Sequence, residues 1–170
     1  MAFQLKNIET NKKETSSFES LAYQLFCNEY GNDTGVFRFK NQTGIETEPI
    51  NHEGKFIGFQ AKFYDTKIAE NKDEIIASIE KGKRENPKLN KILFYLNQEF
   101  SESSKKKVKN PVYKKEIETV AKKLKVEIEW RVPSHFERQL GLPKNNYLND
   151  FFFNLDKDVT DLWEMLDISK

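Results

Sequence analysis

Thr43-Gly44-Ile45-Glu46-Thr47-Glu48-Pro49-Ile50-Asn51-His52-Glu53-Gly54-Lys55-Phe56-Ile57-Gly58-Phe59-Gln60-Ala61-Lys62-Phe63 is the stretch that decides the fold. In its second half Ile57, Phe59, Ala61 and Phe63 fall on one side of an extended chain, and Phe56, Gly58, Gln60 and Lys62 on the other. One face is core; the other carries Gln60 and Lys62. Upstream, Gly44 to Glu48 reads as an acidic strand, and Asn51-His52-Glu53-Gly54-Lys55 as the hairpin turn between the two. A register with Glu46 opposite Gln60, Glu48 opposite Gly58 and Ile50 opposite Phe56 gathers every polar group on one face. A slip of one residue sends both glutamates to the apolar side, an expensive place for charge. Pro49 cannot donate to a ladder, so a bulge or an edge position is expected there, re-aiming Glu48 relative to Glu46. The expected product is a cluster of acid, amide and lysine.

Working outward, Ser16 and Glu19 have capping-box spacing, and Phe18, Leu21, Ala22 and Leu25 recur at helical intervals, so a helix is expected from about Ser17 to Glu29. Gly31 and Asn32 stop it, Val36 to Lys40 alternates as a strand, and Asn41 to Gly44 turns the chain into the hairpin. Ile68, Ile75, Ile76 and Ile79 mark an amphipathic helix from about Thr66 to Arg84, ended near Asn86-Pro87. Ile92 to Leu96 is a continuous apolar run, the pattern of a strand buried on both faces, and a helix between strands implies a parallel crossover. Beyond Pro111 the residues Tyr113, Ile117, Val120, Ala121 and Leu124 form another helical stripe. Val126, Ile128 and Trp130 then alternate with Glu127, Glu129 and Arg131, as a partly exposed last strand would. Two short helical patterns follow Pro133, Phe136 with Leu140 and then Tyr147 to Phe152. The expected class is α/β (an α+β arrangement with a mixed sheet): an α-β-β-β-α-β core, an added α-β unit and C-terminal helices.

The chain has 170 residues, 37% hydrophobic and 13% aromatic, enough for one sizeable core, expected over residues 1–150. Residues 151–170 read as an acidic amphipathic tail whose stripe Val159, Leu162, Trp163 and Leu166 either packs back on the domain or meets a partner. No apolar run reaches membrane-spanning length, and Met1 to Lys13 lacks an apolar signal segment, so a soluble, cytoplasmic protein with no membrane partner is expected. The lone Cys27 excludes an internal disulfide framework and reads as a core thiol. Charge is uneven: Lys81 to Lys125 holds 14 Lys and Arg against 5 Glu, a net +9, whereas Asp150 to Lys170 carries 6 acids against 2 Lys, a net −4. The basic middle suits a polyanion through its clustering, whereas any single lysine in it is better read as a solvated helix residue.

With the order α-β-β-β-α-β, a carboxylate on the second strand and Gln60-Ala61-Lys62 on the third, the chain resembles the PD-(D/E)xK superfamily of restriction-endonuclease-like nucleases. Gly44-Ile45-Glu46 with Gln60-Ala61-Lys62 looks most like the Mrr-type branch and the N-terminal nuclease domains of bacterial anti-phage effector proteins, where Gly-Ile-Asp and Gln-x-Lys are usual. The resemblance covers roughly Ser17 to Trp130 and implies a Mg²⁺- or Mn²⁺-dependent endodeoxyribonuclease acting on double-stranded DNA, as a homo-oligomer or within a larger defence assembly. Glu46 stands where the family has Asp.

The chemistry asks for these residue types. Phosphodiester hydrolysis uses a hard cation with oxygen ligands to polarise the phosphate and acidify a water. On the resemblance, Glu46 is a metal ligand, the Gln60 carbonyl oxygen and the Ala61 backbone oxygen assist, and Lys62 orients the water and stabilises developing charge. Glu19 matches the additional carboxylate these nucleases place on the first helix, but it also completes a capping box with Ser16. Glu48 is a second ligand, or the true first one, or else a solvated acid before Pro49. Lys105, Lys106, Lys107 and Lys109, or else Lys81, Lys83 and Arg84, are the candidate DNA contacts. His52 and His135 lack metal-ligand spacing. The competing reading is a nuclease-like fold without catalysis, acting as a nucleic-acid-binding or oligomerisation module.

Overall fold

The structure is a computed structural model and describes residues 13–30, 49–100 and 111–153. Helix α1 (Lys13–Tyr30) is anchored by Phe18, Leu21, Ala22, Leu25 and Phe26, spaced to share one side and all buried. It starts earlier than expected. Lys13 and Glu14, both good helix formers, extend it ahead of Ser16, which sits inside the helix and is not its N-cap. The capping-box account of Glu19 falls with that boundary.

Next come β1 (Ile50–His52) and β2 (Lys55–Lys62), an antiparallel hairpin. Its turn is only Glu53-Gly54, both at positive φ (51° and 82°), as a type I′ turn requires. The register is therefore one residue away from the expected one: Ile50 lies opposite Ile57, not Phe56. Two physical terms favour this outcome. The tight turn matches strand twist, and directly opposed residues share a face, so Ile50 joins Ile57 against the α1 cluster. The expected strands at Val36 to Lys40 and Gly44 to Glu48 lie outside the described residues.

A 3-10 turn (Ile68–Asn71) leads into α2 (Lys72–Glu85), and then follow β3 (Lys91–Leu96), α3 (Val112–Lys123) and β4 (Glu127–Arg131). The sheet order is β1-β2-β3-β4, with β2, β3 and β4 parallel, as a helix between each pair allows. Both crossover helices cover one face, where Ile75, Ile79, Ile117 and Ala121 bury against Ile92, Phe94 and Leu96. The opposite face carries α1, α4 (Pro133–Leu140) and α5 (Asn146–Phe153), whose Phe136, Leu140, Leu148 and Phe152 join Ile57, Phe59, Leu93 and Tyr95. The architecture is α/β, three layers around a mixed sheet. Residues 154–170, with the stripe Val159 to Leu166, lie outside the described residues. Among the described residues no helix is long and apolar enough to cross a membrane. Cys27 is a buried thiol whose pKa burial pushes up to about 11, against a smaller opposing effect of Tyr23.

Candidate active site

Parallel strands with crossover helices finish along one edge. Lys62 at the end of β2 pairs with Leu96 at the end of β3, and Tyr95 pairs with Arg131 at the end of β4. In open α/β sheets this carboxyl edge is where ligands are bound. Gln60 and Lys62 approach it on the face covered by α2, beside the Phe94 and Leu96 positions. The expected open polar face is thus corrected: α2 and α3 roof it, Gly58 is buried and Gln60 is 0% exposed. Neither the Oε1 nor the Nε2 atom of Gln60 has a hydrogen-bond partner among the described residues. A buried amide left in that state costs the fold about 1–3 kcal/mol.

Lys62 finds a carboxylate, but from α2. Its Nζ lies 3.3 Å from Glu74 Oε1, with the Lys62 side chain 18% exposed and Glu74 53%. Glu74 stands in the first turn of α2, which brings it back over the end of β2. Tyr64, in the same α2-side cluster, has a buried hydroxyl that makes no hydrogen bond of good geometry. Burial, and then the Glu74 carboxylate beside it, hold this phenol well above its ordinary range. The chain at Tyr64 is clamped from β3's exit. Asn97 Oδ1 accepts from Tyr64 N and Asn97 Nδ2 donates to Tyr64 O, both at 2.9 Å, while Gln98 Nε2 donates to Tyr64 O (2.8 Å) and Thr66 O (2.7 Å). Sequence reasoning missed Glu74 and Tyr64, because no motif spacing links them to Lys62.

The other expected site residues are distributed as follows. Glu46 and Glu48 lie outside the described residues, as do Lys105, Lys106, Lys107 and Lys109. Ala61 turns its methyl into the α1-side core. Glu19 is half-buried on α1, the layer opposite Gln60 and Lys62, although its neighbour Phe18 packs on Phe63, the neighbour of Lys62, at 5.7 Å between rings. Glu19 and Lys62 therefore share an edge of the sheet but not a face. Lys81, Lys83 and Arg84 sit toward the far end of α2, with Arg84 about 15 Å along the helix from Glu74 at 1.5 Å per residue. Lys83 Nζ donates to Leu89 O at 2.7 Å and Lys81 lies 3.9 Å from Glu85, whereas Arg84 is exposed.

A second polar cluster, unannounced by the sequence, joins α1 to β4 on the opposite face. Arg131 Nη2 donates to Glu29 Oε1 at 2.7 Å and lies 3.3 Å from Glu129 Oε2, which Lys91 Nζ approaches at 2.9 Å. Two carboxylates face two cations, so the charges cancel. The Tyr95 hydroxyl, beside Arg131, and His135 Nε2 are buried here without a hydrogen bond of good geometry among the described residues. Burial first, and then Arg131 and Arg138, push His135 down to about 4, so it is neutral at ordinary pH. His52 meets Tyr30 edge-on at 5.1 Å, and neither histidine is on the Gln60 and Lys62 face.

The donors at the β2 edge are oxygens of the kind a hard divalent cation prefers, Gln60 Oε1 and the Glu74 carboxylate, and in that respect the residues fit Mg²⁺ or Mn²⁺. Among the described residues no three His, Cys, Asp or Glu side chains converge as a metal cluster. No family model matches the chain, and no curated protein matches it significantly.

Proposed function

We propose that this chain is a divalent-cation-dependent endonuclease of the PD-(D/E)xK type acting on double-stranded DNA, serving as the effector part of a bacterial anti-phage defence protein. The observation that carries the catalytic reading is Gln60, a fully buried, unpartnered amide two residues before Lys62 at the carboxyl edge of a parallel sheet. A polar group kept at such cost to the fold is explained by what it does for a ligand. The defence context and the choice of DNA rest on the resemblance of Gly44-Ile45-Glu46 and Gln60-Ala61-Lys62 to that family.

A divalent cation, when bound, supplies polarisation of the phosphate and a more acidic water. Glu46 and the Gln60 oxygen hold it in this reading, with the Ala61 backbone oxygen and Glu48 as further donors and Glu19 contributing from the first helix. Lys62 donates to the non-bridging phosphate oxygen and stabilises the negative charge that grows there as the P–O bond breaks. The α2 roof limits water around Gln60, which strengthens each of these interactions. Lys105, Lys106, Lys107 and Lys109 would contact the phosphate backbone without reading sequence.

Supercoiled plasmid incubated with the purified chain and Mg²⁺, with EDTA as control, tests the activity. Lys62→Ala is expected to lower cleavage about a hundredfold or more. Its stability should change by less than about 1 kcal/mol, because the pair with Glu74 is partly exposed. Absence of cleavage by the wild type, or wild-type-like cleavage by both Lys62→Ala and Glu46→Ala, would leave the non-catalytic module as the correct reading.

A further inference from the structure

We propose that Glu74 is a cation-binding carboxylate of this centre, holding a divalent ion together with the Gln60 side-chain oxygen, and that Tyr64 orients it. The inference rests on the nuclease reading for the purpose of the site and adds to it a carboxylate from α2 and an aromatic hydroxyl. Three features lie on the α2 side of the β2 carboxyl end. Gln60 offers an oxygen that takes no hydrogen bond among the described residues, at 0% exposure, on the same face as Lys62. Glu74 is within reach of that face, as its 3.3 Å approach to Lys62 Nζ demonstrates, and it keeps 53% exposure toward solvent, so an ion can arrive. Tyr64 places a buried, unpartnered hydroxyl beside the Glu74 carboxylate, able to donate to one oxygen while the other binds the ion.

The contact with Lys62 suits an exchangeable pair. At 3.3 Å it is longer than the 2.7–2.9 Å typical of a charge-assisted hydrogen bond, and by comparison the Lys55 to Glu127 pair closes to 2.7 Å. Glu74 therefore neutralises Lys62 in the free protein. On ion binding the carboxylate changes partner, and the ammonium is released to face the phosphate. The clamp of Asn97 and Gln98 on Tyr64 and Thr66 keeps the strand end in place during that exchange. The charges are consistent, because a neutral amide and one carboxylate leave the bound ion a net positive charge to meet a phosphate.

Mn²⁺ binding to the intact chain, read from the loss of the free-ion signal in electron paramagnetic resonance, tests this independently of cleavage. Glu74→Gln should weaken Mn²⁺ affinity about tenfold or more, Glu74→Asp should recover part of it, and Tyr64→Phe should weaken it by less. Unchanged circular dichroism melting would show that the variants fold, as expected for a half-exposed side chain. Equal Mn²⁺ affinity in wild type and Glu74→Gln overturns the proposal, whatever happens to plasmid. Mn²⁺ bound through Glu74 with no cleavage upholds the cation site and removes the nuclease reading. No Mn²⁺ binding by the wild type overturns both.

Discussion

Gln60→Met keeps the unbranched length of the side chain and removes both polar atoms from a place where the amide is 0% exposed and forms no hydrogen bond among the described residues. A buried amide without a partner costs about 1–3 kcal/mol, and the thioether instead gains contacts with Phe94 and the α2 residues around it. The variant should therefore be more stable than the wild type by about 1–3 kcal/mol. For a chain of this size, at roughly 3 °C per kcal/mol, Tm should rise by about 3–9 °C. Circular dichroism melting gives the shift, and urea titration with an unchanged slope shows that the two states being compared are the same. The same variant should lose Mg²⁺-dependent cleavage, so stability and activity move in opposite directions at one residue. A lower Tm would refute the reasoning, because it would mean that the folded protein already satisfies the amide and that its burial needs no functional explanation.

Arg131→Met leaves Glu29 and Glu129 facing each other without their shared cation, with side chains 25% and 35% exposed, and should cost about 3 kcal/mol in urea unfolding. Lys55→Ala, which breaks a solvent-exposed pair with Glu127, should cost far less; equal losses in the two variants would mean that the Arg131 cluster is not a clasp. His135 supplies a pH test. Its folded value of about 4 lies below its ordinary 6.5, so the unfolded chain binds the extra proton first and stability falls as pH drops from about 6.5 to 4. His135→Gln should remove on the order of 1–2 kcal/mol of that loss after allowance for solvent screening, seen as a smaller Tm difference between pH 7 and pH 4.5; an unchanged difference would show that the ring titrates normally.

Much of the fold follows from local periodicity, which a chain carries in its own residues. Phe18, Leu21, Ala22 and Leu25 can share one side only in a helix, and Ile92 to Leu96 without a polar residue suits only a strand covered on both sides. The alternation of Glu127, Glu129 and Arg131 with Ile128 and Trp130 marked β4 as the partly exposed strand it is. The parallel order of β2, β3 and β4 was implied as well, since a helix between strands leaves no short route to an antiparallel partner.

What only the tertiary structure decided concerns how elements meet. Glu53 accepts positive φ beside Gly54, which shortens the turn and moves Ile50 from Phe56 to Ile57; side-chain alternation alone is compatible with either loop, and the buried face chooses. Gln60 and Lys62 share a parity that reads as an exposed face, and they become buried and partly buried because α2 and α3 cross on that side, a fact of topology. Lys62 and Glu74 meet through a 3-10 turn and the start of a helix, so no fixed spacing in the sequence announces the pair. The Arg131 cluster likewise joins α1 to β4 across 102 positions, and charges so far apart are brought together only by the stacking of layers. Periodicity needs only the chain's neighbours; a site needs surfaces that come together after the chain has folded.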